Sequence, residues 1–325
     1  MDRTCVKNNR NKTKSGENGE KRDGTFHLQN PHLERMDEDV LYHLGLNTTS
    51  HNFVEMFGDV KFVCMGGTAN RMETFAYYLL DVLGLKLPTG TTLIDISRNS
   101  HRYSMYKVGP VLSISHGMGV PSIGILLHEI MKLLKYAKVK DPVLFRIGTC
   151  GGIGVEGGTI VISEDAVDGL GSSYFQVPVL GKIVRRPAVF DKELIEELKD
   201  CVDPKDSYKT VTGITLCADD FYEGQGRLDG AFCDYTEAEK MEYLHKLKDQ
   251  GVVNFEMEAL VFAALTHHAG IRAADVCVAC LDRLKGDQVN TPKDVLYEWQ
   301  KRPQKLVASY IKKQLEKCML SGTNL

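Results

Sequence analysis

Four short stretches carry residue types suited to holding an oxyanion, a heterocycle and a diol. In MGGTANRMETFA, Met65 to Ala76, an apolar run ends in two glycines and an arginine follows at Arg71. Glycine lets a backbone N–H come close to an oxyanion, and arginine's planar fork of donors matches phosphate. The spacing is neither a P-loop nor a dinucleotide fingerprint. A glycine turn followed by a solvated helix-start arginine is the plain alternative. In RIGTCGGI, Arg146 to Ile153, an arginine sits one residue before the end of a hydrophobic strand, with Thr149 and glycines after it. A charge there is costly without an anionic partner. That partner is either a buried Asp or Glu or a bound anion, and Thr149 with the glycine amides favours the anion. Arg102, in HRYSMYK, says little alone.

In DFYEGQGRLDG, Asp220 to Gly230, three glycines surround Gln225 and Arg227. A Gln amide is both donor and acceptor and can read a base edge that offers C=O beside N–H. An adjacent arginine can stabilise negative charge on a departing base, and Phe221 and Tyr222 offer stacking faces. The alternative is a surface Ω-loop with incidental polar residues. In NFEMEALVFAAL, Asn254 to Leu265, Glu256 and Glu258 flank Met257 where a short strand meets an apolar helix. A carboxylate can accept both hydrogens of a cis-diol such as ribose presents. Two acids at a helix start also stabilise the helix dipole. Together the four stretches supply a phosphate site, a base site and a diol site, which fits a nucleoside plus an anion.

The elements that must position these residues alternate. Strands are predicted over Val60 to Met65, Pro110 to His116, Val143 to Ile147, Thr159 to Ser163, Thr210 to Leu216, Val252 to Phe255 and Ala274 to Leu281. Helices are predicted over Asn70 to Leu83, Pro121 to Tyr136, Ala238 to Lys248 and Met257 to His268, with a final one that includes Gln304 to Glu316. This order implies an α/β domain with a largely buried mixed sheet and ligands at strand carboxyl ends. Residues 1–24 are polar and nearly free of aliphatic side chains, so they are expected to be disordered. Residues 25–325 read as a single domain, without an internal repeat or a dividing linker.

The chain has 325 residues and a formal net charge of -3, so no basic excess argues for nucleic acid or an anionic membrane. With 43% hydrophobic and 26% charged residues it matches an ordinary globular protein. Its longest apolar runs are too short to span a bilayer, and its N-terminus has no apolar signal core. A cytoplasmic location is the expectation. The nine cysteines are scattered and do not form a disulfide scaffold. Cys277 and Cys280 form a C-x-x-C inside an apolar run and read as buried strand. Adjacent His267 and His268 diverge by about 100° on a helix and make poor joint metal ligands. No metal is expected.

The four segments, in this order, resemble the uridine phosphorylases of the nucleoside phosphorylase-I family, and RYSMYKVGPVLSISHGMG resembles the animal members. The resemblance runs from about Phe26 to Leu315. It implies a three-layer α/β/α sandwich with a mixed, barrel-like central sheet and a dimeric working unit. It implies that Gly67, Arg71, Arg146 and Thr149 bind phosphate, joined by Arg102 from the neighbouring subunit. Phe221 would pack on uracil, and Gln225 and Arg227 would bind its polar edge. Arg283 would approach the base, and Phe255 would lie near it. Met257 and Glu258 would hold the ribose with Glu256 close by, and His43 would reach the sugar's 5-hydroxyl from the neighbouring subunit. No cofactor is implied, since inorganic phosphate is a co-substrate. Arg71, Arg102, Arg146, Gln225 and Arg227 would carry the catalysis. Cys150 stands where the family pattern has serine, and Thr68 replaces a more usual Ser or Asp. The stretch Gly169 to Val184 follows the family poorly.

Overall fold

The computed structural model describes residues 26–321, and the polar tail expected at 1–24 lies outside them. The elements in chain order are β1 (Val40–Leu41), β2 (Leu46–Asn47), α1 (Phe53–Phe57), β3 (Phe62–Gly66), α2 (Ala69–Leu83), β4 (Met105–Val108), β5 (Val111–Ser115), α3 (Val120–Tyr136), β6 (Val143–Gly152) and β7 (Ile160–Val167). They continue with β8 (Tyr174–Val179), β9 (Lys182–Pro187), α4 (Lys192–Lys199), β10 (Thr210–Cys217), α5 (Glu237–Asp249), β11 (Val252–Glu256), α6 (Ala259–Ala269), β12 (Arg272–Asp282) and α7 (Lys293–Ser321). Polar caps start several helices. Thr68 accepts the Arg71 N–H at the head of α2, and Thr236 forms a capping box with Glu239 at α5.

Eight strands form one mixed sheet in the order β11-β10-β7-β12-β6-β3-β5-β4, and β11 also pairs with β6. That extra pairing closes β6, β12, β7, β10 and β11 into a five-strand barrel, from which β3, β5 and β4 extend. Strands β3, β5, β6 and β12 run parallel, whereas β11 meets β6 antiparallel. A mixed sheet closed into a barrel and flanked by helices is the architecture that the resemblance implies. Closure needs close approach: a Cβ on Gly213 would lie 2.5 Å from the side chain of Val253, the extra residue where β11 bulges beside β10, so glycine makes room for it.

Most strand positions face neither solvent nor polar partners, which is why they read as continuous apolar runs. The Tyr310 ring of α7 meets Phe145 of β6 edge-on at 5.4 Å and Phe62 of β3 at 6.3 Å, fixing that helix over the sheet. Helix α2 packs on α7, and α3 packs on α6, so helices flank the barrel.

Several elements differ from the sequence expectation. Strand β6 extends to Gly152, so the Gly-rich stretch is strand rather than loop. Helix α6 begins at Ala259, with Glu258 as its cap residue. The hairpin β8–β9 and helix α4 are additional. The hairpin's exposed strands bury no continuous face, and only its Leu180–Gly181 turn, with positive φ at both residues, marks it.

Candidate active site

One cavity of about 300 Å³, the scale of a small-ligand site, opens where β3, β5 and β6 end. The Phe255–Gly151 pairing carries the β11 terminus, and with it Glu256, Met257 and Glu258, to that point. Gly67, Arg71, Arg146, Thr149, Phe221, Gln225, Arg227, Phe255, Glu256, Met257, Glu258 and Arg283 all line it. Sequence positions far apart thus converge at one site, as the strand-end argument requires.

At one end lie Gly67, Arg71 and Thr149. The Arg71 Nε donates to Gln300 of α7 at 3.2 Å, and the Arg71 carbonyl accepts from Gln304. Among the described residues Arg71 makes no ion pair, unlike Arg146, Arg227 and Arg283 of the same cavity. Burial lowers its pKa, which is the cost of a cation withdrawn from water without an anion.

Arg146 is placed differently. Its Nη1 lies 2.7 Å from Asp275 and 3.0 Å from Glu256, and its Nη2 donates to Glu258. The buried ion-pair alternative is therefore realised in the folded chain, with three acids around one guanidinium. Burial alone would lower the Arg146 pKa, but Glu256 and Asp275 outweigh it and hold the group charged. Burial raises the Glu256 carboxyl well above its ordinary value despite Arg146. For Glu258 burial also pushes upward, but Arg146 and the Gly119 N–H outweigh it and keep it ionised. The helix-start role of Glu256 is realised too, since its Oε2 accepts from the N–H groups of Glu258 and Ala259 at 2.7 and 2.8 Å.

At the other end Arg227 lies over the Phe221 ring at 4.5 Å and binds Asp229 through Nε and Nη2 at 2.8 and 2.6 Å. Among the described residues its Nη1 makes no hydrogen bond. Arg283 is fully buried, pairs with Asp287 at 3.0 Å and donates to the Gln225 carbonyl at 2.9 Å. Among the described residues its buried Nη1 has no partner. The Gln225 backbone is thereby fixed, while its buried side-chain amide makes no hydrogen bond among the described residues. Polar groups of Gln225, Arg227 and Arg283 are thus available in the cavity that Phe221 also lines.

Arg102 and His43 do not line this cavity. His43 donates its N–H to Glu129, and its Nδ1 lies 2.6 Å from the same carboxylate. Its ring stands 6.4 Å from Tyr103, the neighbour of exposed Arg102. The two residues therefore share a surface outside their own chain's cavity. Among the described residues no group of three His, Cys, Asp or Glu could hold a metal, and no helix is long and apolar enough to cross a membrane. His267 and His268 are exposed.

Two site residues carried no expectation. Asp275 is buried on β12, and the sequence signal was a lone acid in the apolar run AADVCVAC. His116 follows β5 and lines the cavity, a polar residue directly after an apolar strand.

The family model for the phosphorylase superfamily matches residues 61–312. Uridine phosphorylase 1 of Mus musculus is 52% identical over 288 residues, covering 89% of this chain and 92% of that protein. A crystal structure of uridine phosphorylase from Schistosoma mansoni in complex with thymidine superposes with a TM-score of 0.84 at 40% identity, covering 89% of this chain and 99% of the other. A protein of the same organism named inactive uridine phosphorylase B is 41% identical, over 88% of this chain and 96% of its own length. With its strand-end cavity, this sheet closure and these relatives, the chain belongs to the phosphorylase superfamily.

Proposed function

We propose that the chain catalyses the reversible phosphorolysis of uridine, and of deoxyuridine, to uracil and (deoxy)ribose 1-phosphate, in pyrimidine nucleoside salvage and catabolism. The observation that carries this reading is Arg71, a half-buried guanidinium without an acid, lining a cavity whose other arginines are all paired. Phosphate is the co-substrate that fits it, with Gly67 and Thr149 alongside. No cofactor or metal is required.

A phosphate oxygen forms a bond to the anomeric carbon as the bond to uracil breaks, and the electron pair leaves with the base. Holding the partners in line makes a bimolecular encounter local. Arg71 and Arg146 orient phosphate. Met257 and Glu258 hold the ribose, and Glu256 fixes Glu258 through the start of α6. Phe221 packs on uracil, while Gln225 and the uncommitted Nη1 groups of Arg227 and Arg283 favour the uracil anion. In this reading the working unit is a cytoplasmic homodimer in which Arg102 and His43 of each chain complete the other's site. Neither nucleic acid nor a membrane is a partner.

Arg227→Ala is expected to lower kcat roughly a hundredfold, the scale for losing one donor aimed at developing charge. Steady-state turnover of uridine checks this, and unchanged turnover removes Arg227 from the mechanism. The inactive relative favours one second reading, a nucleoside-binding protein. Tight uridine binding without turnover would support it.

A further inference from the structure

We propose that His116 reads the proton of hydrogen phosphate and so separates phosphate from sulfate and other oxyanions that lack a hydroxyl. The inference rests on the phosphorolytic reading of the cavity above.

The residue is held firmly. Its N–H donates to the Gly66 carbonyl at 2.7 Å, and its carbonyl accepts from the Ser122 hydroxyl at 2.6 Å. The residue lines the cavity with Gly67, Arg71 and Thr149 and is 1% exposed. Among the described residues neither ring nitrogen has a hydrogen-bond partner; the Gly117 backbone makes a polar contact that falls outside hydrogen-bond geometry. Buried polar groups are almost always partnered, and an exception at the wall of a ligand cavity points to the ligand as the partner.

The protonation state sets what the ring can offer. Burial, then Arg146 and Arg71, push the imidazole pKa down to about 3, although Glu258 pulls the other way. At neutral pH the ring is uncharged and has one donor and one acceptor nitrogen.

That acceptor is scarce here. Arg71, Arg146 and the Gly67 N–H can only donate. The Glu258 oxygens already accept from Gly119 and Arg146, and the cavity-wall oxygen unpartnered among the described residues, Glu256 Oε1, belongs to a carboxyl that burial pushes toward its protonated form. Phosphate near neutral pH carries a P–OH that needs an acceptor, and sulfate carries no such proton. A ring nitrogen facing the P–OH is satisfied by phosphate. Against sulfate it is left buried and opposed to an oxygen lone pair. Sites built to bond a hydroxyl reject the analogue lacking it far more strongly than apolar pockets reject a missing methylene.

The test compares the phosphate KM with the inhibition constants of sulfate and monofluorophosphate against phosphate, using the full chain. Monofluorophosphate is a dianion of phosphate's shape with fluorine in place of the hydroxyl. In the wild-type protein both analogues should bind at least about a hundredfold more weakly than phosphate. Monofluorophosphate or sulfate binding as tightly as phosphate overturns the proposal without any variant. In His116→Leu the preference should collapse to within about tenfold, whereas His116→Gln, which keeps an acceptor oxygen, should retain much of it. An unchanged ratio in the leucine variant, or equal loss in both variants, also overturns it. If the wild-type protein shows no phosphate-dependent turnover, the phosphorolytic reading fails. Calorimetric binding of the three anions then decides the role of His116 by the same ratio.

Discussion

Replacing Arg71 with alanine is expected to lower kcat/KM for phosphate by about a hundred- to a thousandfold, the range found when a single preorganised donor is removed. Each of the other cavity arginines answers to acids of the fold: Arg146 to Asp275, Glu256 and Glu258, Arg227 to Asp229, and Arg283 to Asp287. Among the described residues Arg71 has only Gln300 for its side chain. Its charge is therefore available to a ligand anion, and the fold loses little when it is removed. The thermal midpoint of Arg71→Ala should stay near or above that of the wild-type protein, since an uncompensated half-buried cation goes with it. Arg71→Lys should recover part of the activity only, because a point charge lacks the planar fork. Steady-state kinetics with phosphate varied at fixed uridine checks both variants. Unaltered phosphate dependence in Arg71→Ala would move the anion elsewhere in the cavity.

The largest expected effect on stability lies at Asp275. Its Oδ1 accepts from Arg146 at 2.7 Å and its Oδ2 from the Ser163 hydroxyl at 2.6 Å. Ser163 continues to Thr215 and Thr215 to Asn254, so one polar chain crosses β12, β7, β10 and β11 inside the barrel. Asp275→Ala removes the anchor of both the chain and a buried guanidinium. Glu256 is a poor replacement, because burial favours its protonated form. Breaking a buried pair from one side costs about 3–5 kcal/mol, and that is the loss predicted from the denaturant midpoint at constant slope. Asp275→Asn keeps the shape and the hydroxyl contact and should lose less. A loss under about 1 kcal/mol for the alanine variant would mean that Glu256 and Glu258 suffice for Arg146.

The parts of the fold legible in the sequence are those whose burial is uniform. Val143 to Ile147 and Ala274 to Leu281 sit inside the barrel and read as plain apolar runs. The hairpin β8–β9 does not, since Tyr174, Val179 and Ile183 remain exposed and its register follows from its turn. Barrel closure was not legible from periodicity, because the β11–β6 pairing depends on Gly151 and Gly152 lying opposite Phe255 and Asn254. Only the resemblance supplied it.

In the site, Arg71, Gln225 and Arg227 were legible because glycines surround them at strand ends. Arg146 was legible as a buried charge but not in its pairing. The choice between an acid and an anion depends on Asp275, which lies 129 positions away in sequence and only one strand away in the sheet. His116 escaped notice because a histidine after a strand signals nothing until its surroundings are known. Only the three-dimensional arrangement exposes a buried ring without partners beside two arginines.

Phosphorolysis is decided by the ultraviolet absorbance change of uridine mixed with the purified full chain, with and without phosphate. Uridine should be lost only when phosphate is present, with uracil and ribose 1-phosphate formed in equal amounts. Uridine cleavage that proceeds equally without phosphate, or tight uridine binding with no cleavage at any phosphate concentration, would contradict it.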